Sequence, residues 1–278
     1  MTLIKSISGI RGTIGGQPNE GLSPLDVVRF TSAYGTWLKG YSKNEGKLKV
    51  VIGRDARISG EMVTNLVTGT LQGLGIDVID LGLSTTPTVE VAVPMENADG
   101  GIILTASHNP KEWNALKLLN EKGEFISAQD GADLLAIAEE NAFNYADVDN
   151  LGNCTKDDSY LDKHIQSILD MDLVNVEAIK SKNYKVAIDC VNSTGGIFLP
   201  ALLKALGVSN IIELYCEPNG QFPHNPEPLP ENLTEISKQI KEQGADVGFV
   251  VDCGHVKQKI YNPRTGMDTL SVVPISKV

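Results

Sequence analysis

The chain has 278 residues, of which 41% are hydrophobic and 21% charged, so it can bury the cores of two ordinary globular domains. Its formal net charge of −11 at pH 7 argues against general binding to nucleic acid or to an anionic membrane, since either partner would repel it. The four cysteines lie far apart and no apolar stretch reaches the ~18 to 20 residues of a membrane span, so we expect a cytoplasmic protein without a disulfide framework, zinc knuckle or transmembrane helix.

The amino-terminal segment predicts a short strand from Ile4 that loosens into a glycine-rich loop. Gly9 and Gly12 bracket Arg11, so the backbone can bend closely around a ligand and direct one guanidinium at it. The planar guanidinium fork suits a phosphate group. A surface turn with a solvated arginine is the alternative interpretation of this pattern.

Helix and strand patterns alternate along the rest of the chain, which predicts mainly parallel sheets with right-handed crossovers. We expect an α/β protein of two domains, residues 1–150 and 151–260, with mixed, mainly parallel sheets covered by helices, and an atypical tail at 261–278. The predicted strands after the amino terminus are 48–52, 77–81, 100–105, 114–120, 185–191, 211–215 and 246–252. The predicted helices are 23–39, 60–74, 87–95, 127–141, 158–173, 196–206 and 232–243, the last starting at a capping box of Asn232 and Glu235.

The segment Gly53-Arg-Asp-Ala-Arg-Ile-Ser-Gly60 follows the second predicted strand and places two arginines around one aspartate. Arg54 is a candidate for binding phosphate at the end of this strand. A surface ion-pair cluster explains the same residues equally well.

A serine loop follows the buried run that ends at Leu104. Pro110 cannot continue a strand ladder, so Ser107, His108 and Asn109 belong to the turn at the strand's carboxyl end, where ligands bind in open α/β sheets. An ordinary serine hydroxyl must be activated by a base or must carry a group delivered to it. No glycine occurs within two residues of Ser107, so the Gly-x-Ser-x-Gly elbow of acyl-transfer enzymes is absent.

The string Thr105-Ala-Ser-His-Asn-Pro110, with Asn114 and Lys117 after it, resembles the phosphoserine loop of the α-D-phosphohexomutases, the family of phosphoglucosamine, phosphomannose and phosphoglucose mutases. Ala115 stands where that loop usually has glycine. The resemblance extends over roughly residues 4 to 252. Its other motifs are Ser8-Gly-Ile-Arg-Gly12, the Gly53–Gly60 string, Asp189–Gly196 and Gly220–Pro228.

This resemblance implies that Ser107 carries a phosphate and moves it between the 6 and 1 positions of a hexose or hexosamine phosphate, through a bisphosphorylated sugar. Lys117 and Arg11 would stabilise charge on the transferring group, and His108 would orient it or exchange protons nearby. The implied phosphate-binding residues are Arg11, Arg54, Asn109 and Lys117.

Alternatives follow from the residues themselves. Lys117 has the pattern of a snorkelling lysine at a sheet edge. A noncatalytic module could bind sugar phosphates through Arg11, Arg54 and Lys117. Self-association of the chain is also possible.

The resemblance breaks in the family's magnesium loop, Asp-x-Asp-x-Asp-Arg, which reads Asp252-Cys-Gly-His-Val-Lys257 in this chain. Gly254 and Val256 occupy the second and third carboxylate positions, and His255 falls between ligand positions. Asp252 and a phosphate on Ser107 would be the remaining ligands of an incomplete Mg²⁺ site. We therefore expect a mutase gene product truncated or altered in frame just inside the metal loop, and inactive alone; a natural divergent half-length protein is the alternative.

Overall fold

A computed structural model describes residues 1–6, 9–44, 46–252, 258–261 and 268–271. The chain divides into two compact units. Unit 1 consists of Met1–Arg54, Ser59–Ala106 and Glu112–Asp158, and unit 2 of Asp55–Ile58, Ser107–Lys111 and Ser159–Val278. None of the described helices is both long enough and apolar enough to cross a membrane.

Unit 1 contains a seven-stranded mixed sheet in the order β1-β2-β6-β5-β3-β4-β7. The pairs β5·β3, β3·β4 and β4·β7 are parallel, and the other three pairs are antiparallel. The strands are β1 Leu3–Ser6, β2 Gly9–Thr13, β3 Lys49–Arg54, β4 Asp77–Leu83, β5 Gly100–Leu104, β6 Trp113–Leu119 and β7 Cys154–Lys156. The helices are α1 Pro24–Tyr41, α2 Gly60–Gly73, α3 Thr86–Met95 and α4 Ala128–Glu140, with a 3-10 turn at Val148–Asn150.

Helices cover both faces of this sheet. Helices α1, α2 and α4 share one buried core with alternate residues of the central strands. Helix α3 packs against β3 and β5 on the opposite face, where Val89 and Val93 lie over Gly53 and Gly101. Since successive strand residues point to opposite faces, this two-sided burial explains the nearly continuous apolar sequence of β3 and β5.

Helix α1 begins with a complete capping box. Ser23 is the N-cap, its hydroxyl accepts from the backbone N–H of Asp26, and the Asp26 carboxylate accepts from the backbone N–H of Ser23. Pro24 occupies the first turn, where its missing N–H costs nothing. A second capping box, Ser127 with Asp130, begins α4 in the same way.

Unit 2 contains a parallel three-stranded sheet in the order β10-β8-β9. Its two faces bury separate apolar clusters, one under α7 and one under α8. The strands are β8 Lys185–Asp189, β9 Asn210–Leu214 and β10 Val247–Val250, and an antiparallel pair follows at β11 Gln258–Tyr261 and β12 Asp268–Ser271. The helices are α5 Tyr160–Leu169, α6 Val176–Ser181, α7 Gly195–Ala205 and α8 Thr234–Gln243, with a 3-10 turn at Pro230–Asn232.

The predicted α/β class with mixed, mainly parallel sheets is confirmed: the two main sheets contain five parallel and three antiparallel strand pairs. The domain ranges 1–150 and 151–260 stay predictions, and most of the predicted tail 261–278 lies outside the described residues. Residues 146–156 attach to unit 1, since β7 pairs with β4 and the Gly152 N–H donates to the Gln72 carbonyl at 2.9 Å.

Two local expectations are wrong. The glycines at 9 and 12 belong to strand β2 rather than to a loop, because they allow close backbone approach: a Cβ on Gly12 would lie 2.6 Å from the Thr2 carbonyl oxygen. The capping box at Asn232 is also absent. Leu233 is the N-cap of α8 without a side-chain cap, and the Asn232 amide donates instead to the Glu227 carbonyl at 2.7 Å.

We expect Gly100→Ala to destabilise unit 1 by about 1 to 3 kcal/mol, the usual cost of overpacking a core. A Cβ at Gly100 would collide with the Tyr34 hydroxyl, which donates to the Leu119 carbonyl at 2.7 Å. The matched control is Gly69→Ala on the exposed side of α2, where a Cβ meets nothing within 4 Å. Urea unfolding should show the control stabilised by about 0.5 to 1 kcal/mol; equal stability of Gly100→Ala and wild type would contradict the packing described.

Candidate functional site

The serine loop begins after β5 and turns at Ser107. Ser107 is only 8% exposed, and its backbone has φ 51°, in the left-handed region. That conformation costs a non-glycine residue roughly 1 to 2 kcal/mol. The loop therefore needs support from elsewhere in the fold, as strained residues at functional sites do. His108 and Asn109 are half-buried on the same turn, as the sequence predicted.

Arg57 supplies that support. Its Nη2 donates to the carbonyls of Ser107 and Asn109, both at 2.7 Å, and its Nη1 donates to the Pro110 carbonyl at 2.6 Å. The Arg57 Nε lies 3.0 Å from Asp55 Oδ2, and Asp55 Oδ1 accepts from the Arg57 N–H at 2.9 Å. Arg57 is 1% exposed, so a buried carboxylate balances a buried cation.

Sequence analysis assigned Arg57 no role of its own. The usable signal was an arginine two residues after an aspartate at the end of a buried strand, a spacing that lets the guanidinium fold back on the carboxylate. Other N–H groups of the guanidinium bond to a loop that is distant in sequence. The local sequence around Arg57 therefore does not indicate these partners.

A second layer lies behind Arg57. The Phe222 ring stands 5.2 Å from the Arg57 Cζ, and the Ala56 N–H donates to the Ser193 hydroxyl at 3.4 Å. Gly220, at φ 70°, approaches the Ala56 carbonyl so closely that a Cβ would collide with it. The proline-rich loop 220–228 thus braces the segment that contains Arg57.

His224 anchors that loop to the carboxyl end of β8. Its Nε2 lies 2.9 Å from Asp189 Oδ2, and its Nδ1 lies 2.9 Å from the Asn225 carbonyl oxygen. Both partners only accept hydrogen bonds, so the doubly protonated imidazolium satisfies them best. The hydrogen bond to Asp189 raises the pKa of His224, and burial opposes that rise.

His164 behaves in the opposite way. It is buried on α5 with its ring 4.7 Å from that of Phe198, and burial lowers its pKa to about 4. This environment is that of a packing residue rather than of a reacting one.

We predict opposite pH dependences for these two histidines. The hydrogen-bonded imidazolium of His224 makes its full contribution to the free energy of unfolding below the pKa of histidine in the unfolded chain, about 6.5. This contribution disappears as the pH rises through the raised folded pKa, because the unfolded chain loses its proton first. His224→Gln should remove about 1 to 3 kcal/mol at pH 6 and less at pH 8.5.

Urea titrations of wild type and variant across this range test the prediction. His164 serves as the internal control, since its burial penalty should appear as lost stability when the pH falls from about 6.5 towards 4. A constant difference between wild type and His224→Gln at all pH values would contradict the assignment of an imidazolium.

Lys117 and Arg11 lie on one face of the unit 1 sheet. Arg11 of β2 is paired with Ala115 of β6, so Lys117 is the diagonal neighbour of Arg11 on the same face. Lys117 is 7% exposed, and β6 lies between β2 and β5. The alternative of a snorkelling lysine at a sheet edge is therefore wrong.

The Arg11 side chain has one further feature. Its Nε is buried and has no hydrogen-bond partner among the residues that the structure describes. Buried N–H groups normally have one. A ligand oxygen would satisfy this donor.

Glu90 on α3 is a site residue that the sequence did not indicate. Burial raises its pKa to about 7, while the charge of Lys117 lowers it. The Lys117 Nζ also lies 5.8 Å from the centroid of the Phe125 ring. A single glutamate inside a helix carries no pattern that would have identified it.

We expect Lys117→Met to raise the Glu90 pKa above about 7, because the substitution removes the one attractive charge identified for it. Carbonyl-carbon NMR of the Glu90 side chain across a pH titration measures the change. Lys122→Met, which alters an exposed turn lysine, is the matched control and should leave the titration unchanged. A lower Glu90 pKa in Lys117→Met would show that the two groups do not interact as described.

Arg54 lies apart from this pair, at the end of β3. It lines a cavity of about 480 Å³ in unit 1 with Glu61, Asp80 and Lys156 among the walls. Asp157 and Asp158 also line the cavity, so its four acidic groups outnumber its two basic ones. This charge balance does not favour a phosphate at Arg54.

The residues present do not fit the magnesium site that the family resemblance implies after β10. Asp252 is 4% exposed, two residues after β10. Within the described ranges no group of three His, Cys, Asp or Glu side chains could hold a metal ion. The sequence has no carboxylate between Asp252 and Asp268, and residues 253–257, including His255, lie outside the described residues.

Family models match both units. The alpha/beta/alpha domain I of phosphoglucomutase/phosphomannomutase matches residues 3–145, and domain II matches residues 158–254. The chain belongs to this family. The resemblance drawn from the motifs is confirmed, and with it membership of a family of mutases.

Individual relatives agree. The chain is 37% identical over 260 residues to a phosphoglucomutase/phosphomannomutase of Thermococcus kodakarensis, covering 92% of this chain and 55% of that protein. It is 36% identical to a probable phosphoglucosamine mutase of Methanosphaera stadtmanae, covering 90% of this chain and 54% of that protein. The crystal structure of a family member from Burkholderia thailandensis matches with a TM-score of 0.80 and 26% identity, over 95% of this chain and 55% of the other. The chain thus spans about half the length of these relatives.

Proposed function

We propose that this chain carries the phosphoserine of a phosphohexomutase, with Ser107 as the group that accepts and returns phosphate. The observation that carries the proposal is the left-handed turn at Ser107, held by three hydrogen bonds from a buried arginine, in a chain of this family. Strained backbone held by the surrounding structure in this way is enriched at functional sites.

The proposed step is a phosphoryl transfer. The Ser107 oxygen forms a bond to phosphorus, the bond between phosphorus and a sugar oxygen breaks, and the serine proton finishes on that sugar oxygen. The full exchange starts from phosphorylated Ser107, which gives its phosphate to the free hydroxyl of a sugar monophosphate and takes up the proton of that hydroxyl. The resulting bisphosphate then returns the phosphate at its other position to Ser107 by the step just described, which completes the exchange between positions 6 and 1. Such reactions depend on positioning and on stabilising charge rather than on covalent chemistry by the protein.

Lys117 and Arg11 are the cations proposed to stabilise the transferring group. They share one sheet face, and the buried Nε of Arg11 lacks an acceptor within the described part of the chain. Electrostatic groups of this kind are each worth on the order of 10² to 10³ in rate. His108 is proposed to orient the phosphate or exchange a proton, and Asn109 to bind it. Arg54 is proposed as a further phosphate ligand, although acidic groups outnumber basic ones around it.

The proposed substrates are hexose or hexosamine phosphates, of the phosphoglucosamine or phosphomannose type that the relatives' names indicate. The cytoplasmic location and any self-association remain predictions from the sequence. We further propose that residues 1–278 do not complete the mutase cycle alone, because glycine and valine replace two of the three carboxylates that the resemblance implies for magnesium. A noncatalytic module that binds sugar phosphates is the competing function.

Incubation of the purified chain with a hexose 1,6-bisphosphate, followed by peptide mass spectrometry, tests the proposal. We expect one phosphate, located on Ser107, and none on Ser107→Ala. Ser167→Ala is the matched control, since Ser167 also lies in unit 2 but its hydroxyl donates within α5, to the His164 carbonyl at 2.7 Å. Binding of the bisphosphate without phosphate on Ser107 would support the noncatalytic module.

The complete cycle is assayed separately, as conversion of glucosamine, mannose and glucose 6-phosphates to their 1-phosphates with magnesium and a bisphosphate primer. We expect no turnover. Turnover of about one per second, an ordinary enzyme rate, that is lost in Ser107→Ala would show that the altered metal loop does not prevent catalysis.

A further inference from the structure

We propose that Arg57 is a positioning residue for phosphoryl transfer: its guanidinium holds Ser107 in the left-handed conformation that presents the hydroxyl for reaction. The inference rests on the proposed role of Ser107 as phosphate carrier and assigns the geometry of that role to a residue that does not itself bind phosphate.

The hydrogen-bond inventory separates Arg57 from the proposed phosphate ligands. A guanidinium has five N–H donors. Four are engaged with Asp55 Oδ2 and with the carbonyls of Ser107, Asn109 and Pro110, at 2.6 to 3.0 Å. With the side chain 1% exposed, Arg57 acts on the reaction through the loop backbone rather than through contact with substrate.

The shape of the arginine side chain explains why this residue type is needed. One planar group reaches three carbonyls of a turn that changes direction between residues 107 and 110. A lysine ammonium is a single point with three donors, so it cannot reproduce two bonds from Nη2 and one from Nη1 while also facing Asp55. Substitution by lysine preserves the charge and removes the geometry.

Neighbouring residues fix the plane of the guanidinium. Asp55 accepts from both the side-chain Nε and the backbone N–H of Arg57, and the Phe222 ring lies 5.2 Å from its Cζ. Side chains whose rotamers are locked in this way can hold a reacting group to the tolerance that catalysis requires.

The test compares wild type, Arg57→Lys, Arg57→Ala and a control, Arg29→Ala. Arg29 also donates to a backbone carbonyl, that of Ala138 at 2.9 Å, but it lies on α1 in unit 1. Each variant is assayed for the rate of Ser107 phosphorylation by a hexose 1,6-bisphosphate, and for amide hydrogen exchange of the peptide spanning residues 105–112. Thermal unfolding confirms that each variant is folded.

We expect Arg57→Lys to slow Ser107 phosphorylation about 100-fold, the loss typical of a displacement near 1 Å at a reacting group, and to speed exchange in residues 105–112. Millimolar guanidinium should partly restore the rate of Arg57→Ala, since the ion fits the space that the side chain leaves. Arg29→Ala should keep wild-type phosphorylation and exchange, with or without guanidinium, even if its stability falls.

The experiment distinguishes failure of the positioning role of Arg57 from failure of the proposed function of Ser107. If wild type takes phosphate on Ser107 and Arg57→Lys does so at the same rate, the positioning role is overturned and the proposed function stands. If wild type takes no phosphate on Ser107, the proposed function fails, and the exchange experiment decides the inference: faster exchange of residues 105–112 in Arg57→Lys supports control of the loop by Arg57, and unchanged exchange overturns it.

Discussion

The serine loop depends on one buried ion pair, Asp55 with Arg57. Removing two charges from water costs several kcal/mol per ion, by the usual order of magnitude, so the pair is unfavourable unless every donor finds an acceptor. Here the carboxylate takes one N–H of the guanidinium, and three carbonyls of the loop take three more. Those carbonyls follow strand β5, which ends at Leu104, and belong to none of its ladder pairs. The loop thus supplies acceptors for the buried guanidinium, and the guanidinium supplies donors for the loop, so the pair and the loop stabilise each other.

Four non-glycine residues of unit 2 have left-handed backbone shortly after the end of a strand. Ser107 follows β5, while Val191 and Asn192 follow β8 and Tyr215 follows β9, with φ between 45° and 54°. Val191 is β-branched and fully buried, which makes its φ of 45° especially costly. Asp189 helps to hold it, because its carboxylate accepts from the Val191 N–H at 3.1 Å while also facing His224. Two acidic side chains of unit 2 thus organise strained turns: Asp189 bonds to its turn directly, and Asp55 acts through Arg57.

The sequence predicted most of the fold, because periodicity and capping are local signals. Helix α1 begins at Ser23 as expected, and β5 ends before the predicted turn at Ser107. It failed where tertiary contacts decide: β2 is extended because β1 and β6 flank it, and short β7 forms only by pairing with β4. The residues of the candidate site also differ in how far the local sequence predicts them. Ser107 carried a motif, whereas the roles of Arg57 and Glu90 depend on loops and helices distant in sequence.

The face that holds Arg11 and Lys117 also suits an anion for a reason that net charge conceals. The chain is acidic overall, yet the Glu90 carboxyl that shares the neighbourhood of Lys117 has its pKa raised to about 7 by burial. Near neutral pH this carboxyl is therefore less ionised than an exposed glutamate and repels an anion less. A phosphate dianion bound beside Lys117, as proposed, would oppose ionisation of Glu90 further. Phosphate binding and proton uptake by Glu90 would then be linked. Bound phosphate would raise the Glu90 pKa, and protonation of Glu90 would increase the affinity for phosphate as the pH falls towards 6.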